Sequence, residues 1–277
     1  MNESFQHKKS LGQHFLNSDL VPTWLCDAGA VTAGDSVLEI GPGTGALTRE
    51  LLARGATVIA LETDARAVAV LEETFVDALA TNQLQLHKHD VRTLAVETLG
   101  LSDHAFKVVA NIPYYLSGHL FRTLIEHPVQ PSDLVFLVQK EVAKRAAAPL
   151  PPAPKAKGSL LALSLQVYGT VTCPRTVSRG HFTPPPQVDS AIVVVRHITR
   201  DYFDTITEAD FFATIRLGYG NKRKQLAHNL HTKYDKPVVA AALGAANLSP
   251  TVRAEDISLT QWKTLIQTLT SQNPYTL

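Results

Sequence analysis

The sequence predicts an α/β protein: a doubly wound, mostly parallel sheet over residues 1–196, followed by a small all-helical domain over 197–277. Three observations predict it. Short apolar runs rich in β-branched residues alternate with helix-length segments, the pattern of a parallel sheet covered by helices. A turn with glycine at alternate positions, Gly41-Pro42-Gly43-Thr44-Gly45, joins the first of these runs to a helix. Beyond Arg196 the apolar residues recur at helical spacing and the strand pattern stops.

In chain order, Phe5 to Leu16 form a short basic and aromatic segment. Phe15 and Leu16 would be wasted on a solvated leader, so an ordered arm lying over a ligand site is expected. A first helix follows at 20–28, then strands at 37–40, 57–61, 84–86, 107–110 and 134–138. Helices are expected between them at 45–54, 65–79 and 118–126, and a further one at 160–168. Residues 171–177 and 190–195 read as a terminal antiparallel pair. Between them Pro184, Pro185 and Pro186 fix φ and forbid regular structure. The second domain is expected to hold helices at 208–218, 222–230, 236–244 and 258–271. No internal repeat is visible. The one biased stretch, 146–158, is rich in alanine and proline with two lysines, and reads as a stiff basic loop.

Composition narrows the function. With 45% hydrophobic and 18% charged residues the chain is an ordinary globular protein and not a disordered one. A formal net charge of +1 supplies no global field for nucleic acid, so any such binding must come from local patches. The acidic stretch 62–103 offsets basic clusters elsewhere. Cys26 and Cys173 are distant and form no Cys-x-x-Cys pair, which argues against a disulfide framework or a cysteine zinc site. No metal site is expected. No apolar run reaches membrane-spanning length and no signal-peptide core is present, so a cytoplasmic protein is expected.

Ligands of open α/β sheets bind at the carboxyl ends of the strands. Those ends carry the glycine turn, Glu62, His89-Asp90 and Asn111. Alternate glycines let the backbone turn sharply and approach a ligand closely. Glu62, about 20 positions beyond the turn, suits the hydroxyls of a ribose. The Gly-x-Gly-x-Gly spacing departs from the dinucleotide pattern Gly-x-Gly-x-x-Gly and points to S-adenosylmethionine instead of a pyrophosphate.

Asn111-Ile112-Pro113-Tyr114 follows directly on the fourth strand. The amide oxygen of Asn111 and a backbone carbonyl nearby, that of Ile112, can each accept one N–H of an exocyclic amine and favour its attack on a methyl group. Pro113 stiffens the turn, and Tyr114 offers a flat face on which a flipped-out or unpaired base can stack.

The segments Gly12-Gln13-His14-Phe15-Leu16, Leu38 to Gly45, Asn111 to Tyr114, Val138 to Ala143, Phe182 with Pro184 to Ser190, and Arg253-Ala254-Glu255-Asp256 resemble the ribosomal RNA adenine N6,N6-dimethyltransferases, most closely the small-subunit (KsgA-type) enzymes. The resemblance runs in order through nearly the whole chain. It implies a class I (Rossmann-like) methyltransferase fold with a helical RNA-binding domain. It also implies transfer of methyl groups from S-adenosylmethionine to N6 of two adjacent adenosines in the 3′-terminal hairpin loop of small-subunit rRNA, in a pre-30S particle, by a monomer.

Carried over by position, His14, Leu16, Gly41, Gly43, Gly45, Glu62, Asp90 and Asn111 would bind the donor, with Glu62 on the ribose and Asp90 on the adenine amine. Asn111, Pro113, Tyr114 and Phe182 would act on the target, Phe182 being a second aromatic wall opposite Tyr114. Lys140, Lys144 and Arg145, and separately Arg216, Lys222, Arg223 and Lys224, would meet RNA phosphates, with Lys155 and Lys157 added to the first group.

Four positions depart from the commoner pattern: His14 in place of Asn, Tyr115 in place of Asn, a longer Pro-rich stretch at 149–154, and Lys222-Arg223-Lys224 where Arg-Arg-Lys is usual. Two other readings compete. One is a large-subunit rRNA methyltransferase conferring antibiotic resistance, which shares the donor turn and Asn-Ile-Pro-Tyr. The other is a non-catalytic assembly or transcription factor, which would tolerate erosion at Gly41, Glu62, Asp90 or Asn111; none is eroded.

Overall fold

The computed structural model describes residues 14–91 and 96–272. Most of the predicted arm, 5–13, therefore lies outside the described residues. Its last two residues form a short strand, β1 (Phe15–Leu16), followed by helix α1 (Leu20–Ala28) and strand β2 (Ser36–Ile40). Helix α2 (Ala46–Ala53), β3 (Thr57–Glu62), helices α3 (Ala65–Thr74) and α4 (Val76–Ala80), and β4 (Leu84–Lys88) come next. Then follow β5 (Lys107–Asn111), α5 (Ser117–Ile125), β6 (Asp133–Gln139), α6 (Lys140–Ala146) and α7 (Leu160–Gln166). Strands β7 (Thr170–Val177), β8 (Phe182–Thr183) and β9 (Ser190–Arg196) complete the strands. The remaining helices are α8 (Glu208–Gly218), α9 (Leu226–Leu230), α10 (Lys236–Ala245) and α11 (Leu259–Ser271).

Seven strands form one sheet in the order β4-β3-β2-β5-β6-β9-β7. The first five run parallel, and β9 is antiparallel to both its neighbours, as the predicted terminal pair requires. Leu134 to Val138 on β6 and Ala191 to Val195 on β9 are all buried, which is why these strands read as unbroken apolar runs without alternation. β7 lies at the sheet edge, where Pro174, lacking an N–H, sits within a register shift between Thr172 and Arg175. Register aligns the strand ends: Ile40 pairs with Leu61, Glu62 with Lys88, and Asn111 with Leu137. The polar residues that follow these ends are thereby brought to one edge.

The chain divides into two compact units: residues up to 144 with 169–198, and 145–168 with residues from 199 onward. Residues 145–168, expected in the first domain, thus belong to the helical unit. Their anchor is Tyr168, whose ring lies 5.3 Å from that of Phe203 and 6.2 Å from that of Phe212. A single cut near 196 could not register this excursion, because the biased stretch at 146–158 reads as a loop of the sheet domain and the helix after it carries no mark of a boundary. In the helical unit Trp262, Phe211, Leu226, Leu230, Leu265 and Leu269 are buried. Ser258 opens α11 with a reciprocal cap: its hydroxyl accepts from Gln261 N, and the Gln261 side chain accepts from Ser258 N.

Helix α6 has no counterpart in the expectations, and two of the expected helices differ from them. The helix expected over 65–79 breaks at Phe75 (φ −117°, ψ 35°) into α3 and α4. The helix expected from Lys222 begins only at Leu226. Asn229 Nδ2 donates to the carbonyls of Gly218 (2.5 Å) and Asn221 (3.2 Å), holding residues 221–224 as a turn. No helix among the described residues is long and apolar enough to cross a membrane.

Candidate active site

The aligned strand ends open on a cavity of about 230 Å³. His14 and Leu16 enter it from β1, Gly41 and Gly43 from the turn after β2, Glu62 from the end of β3, and Asp90 from beyond β4. Asn111, Pro113 and Tyr114 enter after β5, and Phe182 from β8. Thus all the expected donor and target residues except Gly45 line one cavity.

The glycine turn explains the exception. All three glycines have positive φ: 69° at Gly41, 57° at Gly43 and 83° at Gly45. A Cβ at Gly41 would meet nothing within 4 Å, so its missing side chain is open cavity space. A Cβ at Gly45 would lie 2.5 Å from the Phe75 ring. Gly45 is packed against Phe75 beneath α2 and is not among the residues that line the cavity.

Glu62 is only 4% exposed. Its Oε2 accepts from Gly43 N (3.1 Å) and its Oε1 from Thr63 N (2.8 Å) and Asp64 N (3.0 Å). A carboxylate offers about four acceptor positions, so these bonds fix its pose and leave Oε2 capacity for one more donor. Glu39, to which the sequence reading gave no role, also lines the cavity at 1% exposure. Thr48 Oγ1 donates to its Oε2 at 2.7 Å. Burial pushes the Glu39 carboxyl up to about 8, against the pull of the Thr48 hydrogen bond and with the charge of Glu62 adding to the rise. An acid inside an otherwise apolar strand was the available signal.

The cavity wall holds three carboxyl groups, Glu39, Glu62 and Asp90, and neither lysine nor arginine among the described residues. That lining disfavours a pyrophosphate and suits a cationic ligand with hydroxyl and amine donors, the chemistry of a sulfonium methyl donor. No group of His, Cys, Asp and Glu residues among those described could hold a metal ion.

Asn111 is fixed from the arm. Its Nδ2 donates to the His14 carbonyl at 3.3 Å, which orients the amide and leaves Oδ1 as the acceptor. His14 Nδ1 lies 2.8 Å from Pro184 O, and a carbonyl only accepts, so Nδ1 carries the proton. Leu16 pairs with Phe182 in a two-stranded ladder of β1 and β8, reinforced by Asn17 Nδ2 donating to Thr183 Oγ1 at 2.9 Å. Tyr114 is anchored by its hydroxyl, 2.6 Å from Oγ of the fully buried Ser190, and its ring lies 5.7 Å from that of His14. Burial raises the Tyr114 phenol, with the Ser190 hydrogen bond opposing the rise. Phe182 is 2% exposed and closes the cavity from the β8 side.

The expected phosphate-binding residues fall in both units. Lys140, at the start of α6, has Nζ 3.7 Å from Asp189 Oδ2, while Lys144 is exposed. Arg145 and Arg216 are exposed, the latter with its guanidinium over the Phe212 ring at 5.4 Å. Lys222, Arg223 and Lys224 are exposed on the turn before α9. Lys157 is engaged differently: it pairs with Glu255 at 3.3 Å and with Asp256, and Gly158 N donates to Glu255 O at 2.7 Å. The 146–158 stretch is thus tied to the 253–256 motif, and Lys157, with its side chain 57% exposed, would have to exchange these carboxylate partners to meet a phosphate.

A seven-stranded sheet with one reversed strand next to its edge, bearing a glycine turn and an acid at successive strand ends, defines a class I methyltransferase. Solved structures share the fold: a dimethyladenosine transferase from Plasmodium falciparum (TM-score 0.74, 24% identity, 91% of this chain and 96% of that one) and the 23S rRNA methyltransferase ErmE (0.67, 23%, 92% and 99%). The family model for ribosomal RNA adenine dimethylase matches residues 4–271, and the chain belongs to that family. Similar curated proteins include the ribosomal RNA small subunit methyltransferases A of Dehalococcoides mccartyi strain CBDB1 (38% identical, 93% of this chain and 87% of the relative) and of Anaeromyxobacter sp. strain K (36%, 95% and 93%).

Proposed function

We propose that this chain transfers methyl groups from S-adenosylmethionine to N6 of two adjacent adenosines near the 3′ end of small-subunit rRNA, giving N6,N6-dimethyladenosine. In this reading it acts in the cytoplasm, as a monomer, on a pre-30S particle. The observation that carries it is the Asn111 amide, held by the His14 carbonyl beside a cavity lined with carboxyl groups.

S-adenosylmethionine, when bound, supplies a methyl group on a sulfonium centre. Glu62 would accept a ribose hydroxyl on its remaining lone pair, and Asp90 the adenine amine of the donor. Gly41 leaves room for close approach. On the target side, Asn111 Oδ1 and the Ile112 carbonyl accept the two N–H bonds of the adenine amine and aim its nitrogen at the methyl carbon. As the new N–C bond forms, the C–S electron pair stays on sulfur. The methylated nitrogen is then strongly acidic and gives its proton to water, so no side-chain base is needed. Tyr114 and Phe182 hold the base between aromatic faces, a contact of roughly 1–3 kcal/mol per stacked base. Lys144, Arg145, Arg216, Lys222, Arg223 and Lys224 would meet phosphates, with Lys140 contributing after exchange of its Asp189 partner.

Incorporation of labelled methyl groups into isolated small-subunit and large-subunit particles tests the proposal. Label in the small-subunit RNA supports it. Label confined to large-subunit RNA would favour the resistance-type activity, and label in neither would favour a non-catalytic factor.

A further inference from the structure

Tyr115 lies at the active site and has no role in the chemistry above. It follows Tyr114 in a short helical turn, lines the cavity, and still leaves 66% of its surface to solvent. The turn that presents it is firm: Leu116 N donates to Pro113 O at 3.0 Å, and Ser117 Oγ to Tyr114 O at 2.8 Å. Among the described residues nothing bonds its hydroxyl and no ring stacks on it. The contrast with its neighbour is direct, because Tyr114 spends its hydroxyl on Ser190 and is half-buried.

A base drawn out of its stack strips the adjoining nucleotide of one stacking face. An aromatic ring fixed at the mouth of the cavity and open to solvent can replace that face, at no cost in loop ordering. Resting on the functional reading above, we infer that Tyr115 stacks on the base adjoining the target adenine, so that the site takes two consecutive unpaired nucleotides, one inside the cavity and one on its rim. The ring supplies the contact; the hydroxyl does not.

The test uses small-subunit particles assembled with rRNA in which the nucleotide on either side of the target, in turn, is left intact or made abasic. Single-turnover methyl transfer to the target adenosine alone, resolved from its neighbour because the two acceptors adjoin, is measured for wild type, Tyr115→Phe and Tyr115→Ala, with donor affinity read by calorimetry. Tyr115→Ala should lose roughly fivefold to a hundredfold in single-turnover rate at subsaturating enzyme on intact RNA, the range of one base–aromatic stack, with donor affinity unchanged. Tyr115→Phe should stay close to wild type. Removing the base on one side should cost wild type about as much as Tyr115→Ala does, and combining the two changes should cost no more than either. Wild-type rates for Tyr115→Ala, a loss in Tyr115→Phe as large as in Tyr115→Ala, or losses that multiply would each overturn the inference. The abasic arm reads the contact without altering the protein. If wild type fails to methylate intact particles, the functional reading falls and this inference with it.

Discussion

Among single residues, Asn111, Tyr114 and Glu62 have orientations fixed by their neighbours. In the proposed chemistry Asn111 is an acceptor for the target amine, so Asn111→Ala should lower methyl transfer by roughly 10²–10³-fold, while RNA affinity, supplied mostly by phosphates, should change little. Phe182→Ala would leave the proposed acceptors in place and remove the proposed second aromatic wall. The second transfer starts from an amine with one N–H left, which must reorient, so monomethyladenosine should accumulate in a single-turnover time course. Dimethyladenosine formed at wild-type rate without that build-up would refute the slot. Glu39 carries a pH signature. Folded, its carboxyl keeps a proton up to about 8, against the ordinary value of 4.5. The folded state therefore binds one more proton between these values, and stability is full below 4.5 and falls toward 8, by about 1.4 kcal/mol per pH unit. Glu39→Gln stays neutral throughout and should flatten that decline in denaturant midpoints measured between pH 6 and 8. Parallel slopes for variant and wild type would contradict the assignment.

At the scale of elements, the glycine turn separates two duties that its spacing alone presents as one. Gly45→Ala would put a methyl group 2.5 Å from the Phe75 ring at a φ of 83°. It should lower the thermal midpoint by several degrees, for a cost of about 1–3 kcal/mol, and leave donor affinity intact in the folded fraction. Gly41→Ala, pointing into open cavity, should instead weaken donor binding. Equal stability of Gly45→Ala and wild type would mean that Phe75 yields. The central parallel strands were legible because a strand buried on both faces must be apolar throughout, and the cavity edge because Glu62 and Asn111 end two such strands; β4, with an exposed Gln85 and Lys88, was legible only from its place in the alternation. The β1–β8 ladder was not legible. Strands of two residues have no period to read, and their pairing depends on a contact between positions 15 and 183. Nor was the break at Phe75, which no proline or glycine marks and which follows from packing under Gly45. Glu39 escaped because its burial, and not its place in the motif, gives it its chemistry.

At the scale of the whole molecule, a net charge of +1 has to be reconciled with a polyanionic substrate. The exposed turn carrying Lys222, Arg223 and Lys224 is a local source of positive charge, and neutralising Arg223 and Lys224 together should flatten the salt dependence of RNA binding by up to about 0.9 in slope per lost duplex phosphate contact. Donor affinity should not move, and an unchanged slope would make this turn a merely solvated surface. An adenine dimethyltransferase must modify N6 of the same adenine twice. Mass spectrometric mapping of nucleosides along small-subunit rRNA, sampled through the reaction, tests it most directly. N6-methyladenosine should appear transiently and N6,N6-dimethyladenosine persist at the same positions near the 3′ end; methylation that stops at one methyl group, falls on an atom other than N6, or appears on a different nucleoside would contradict double transfer to one amine.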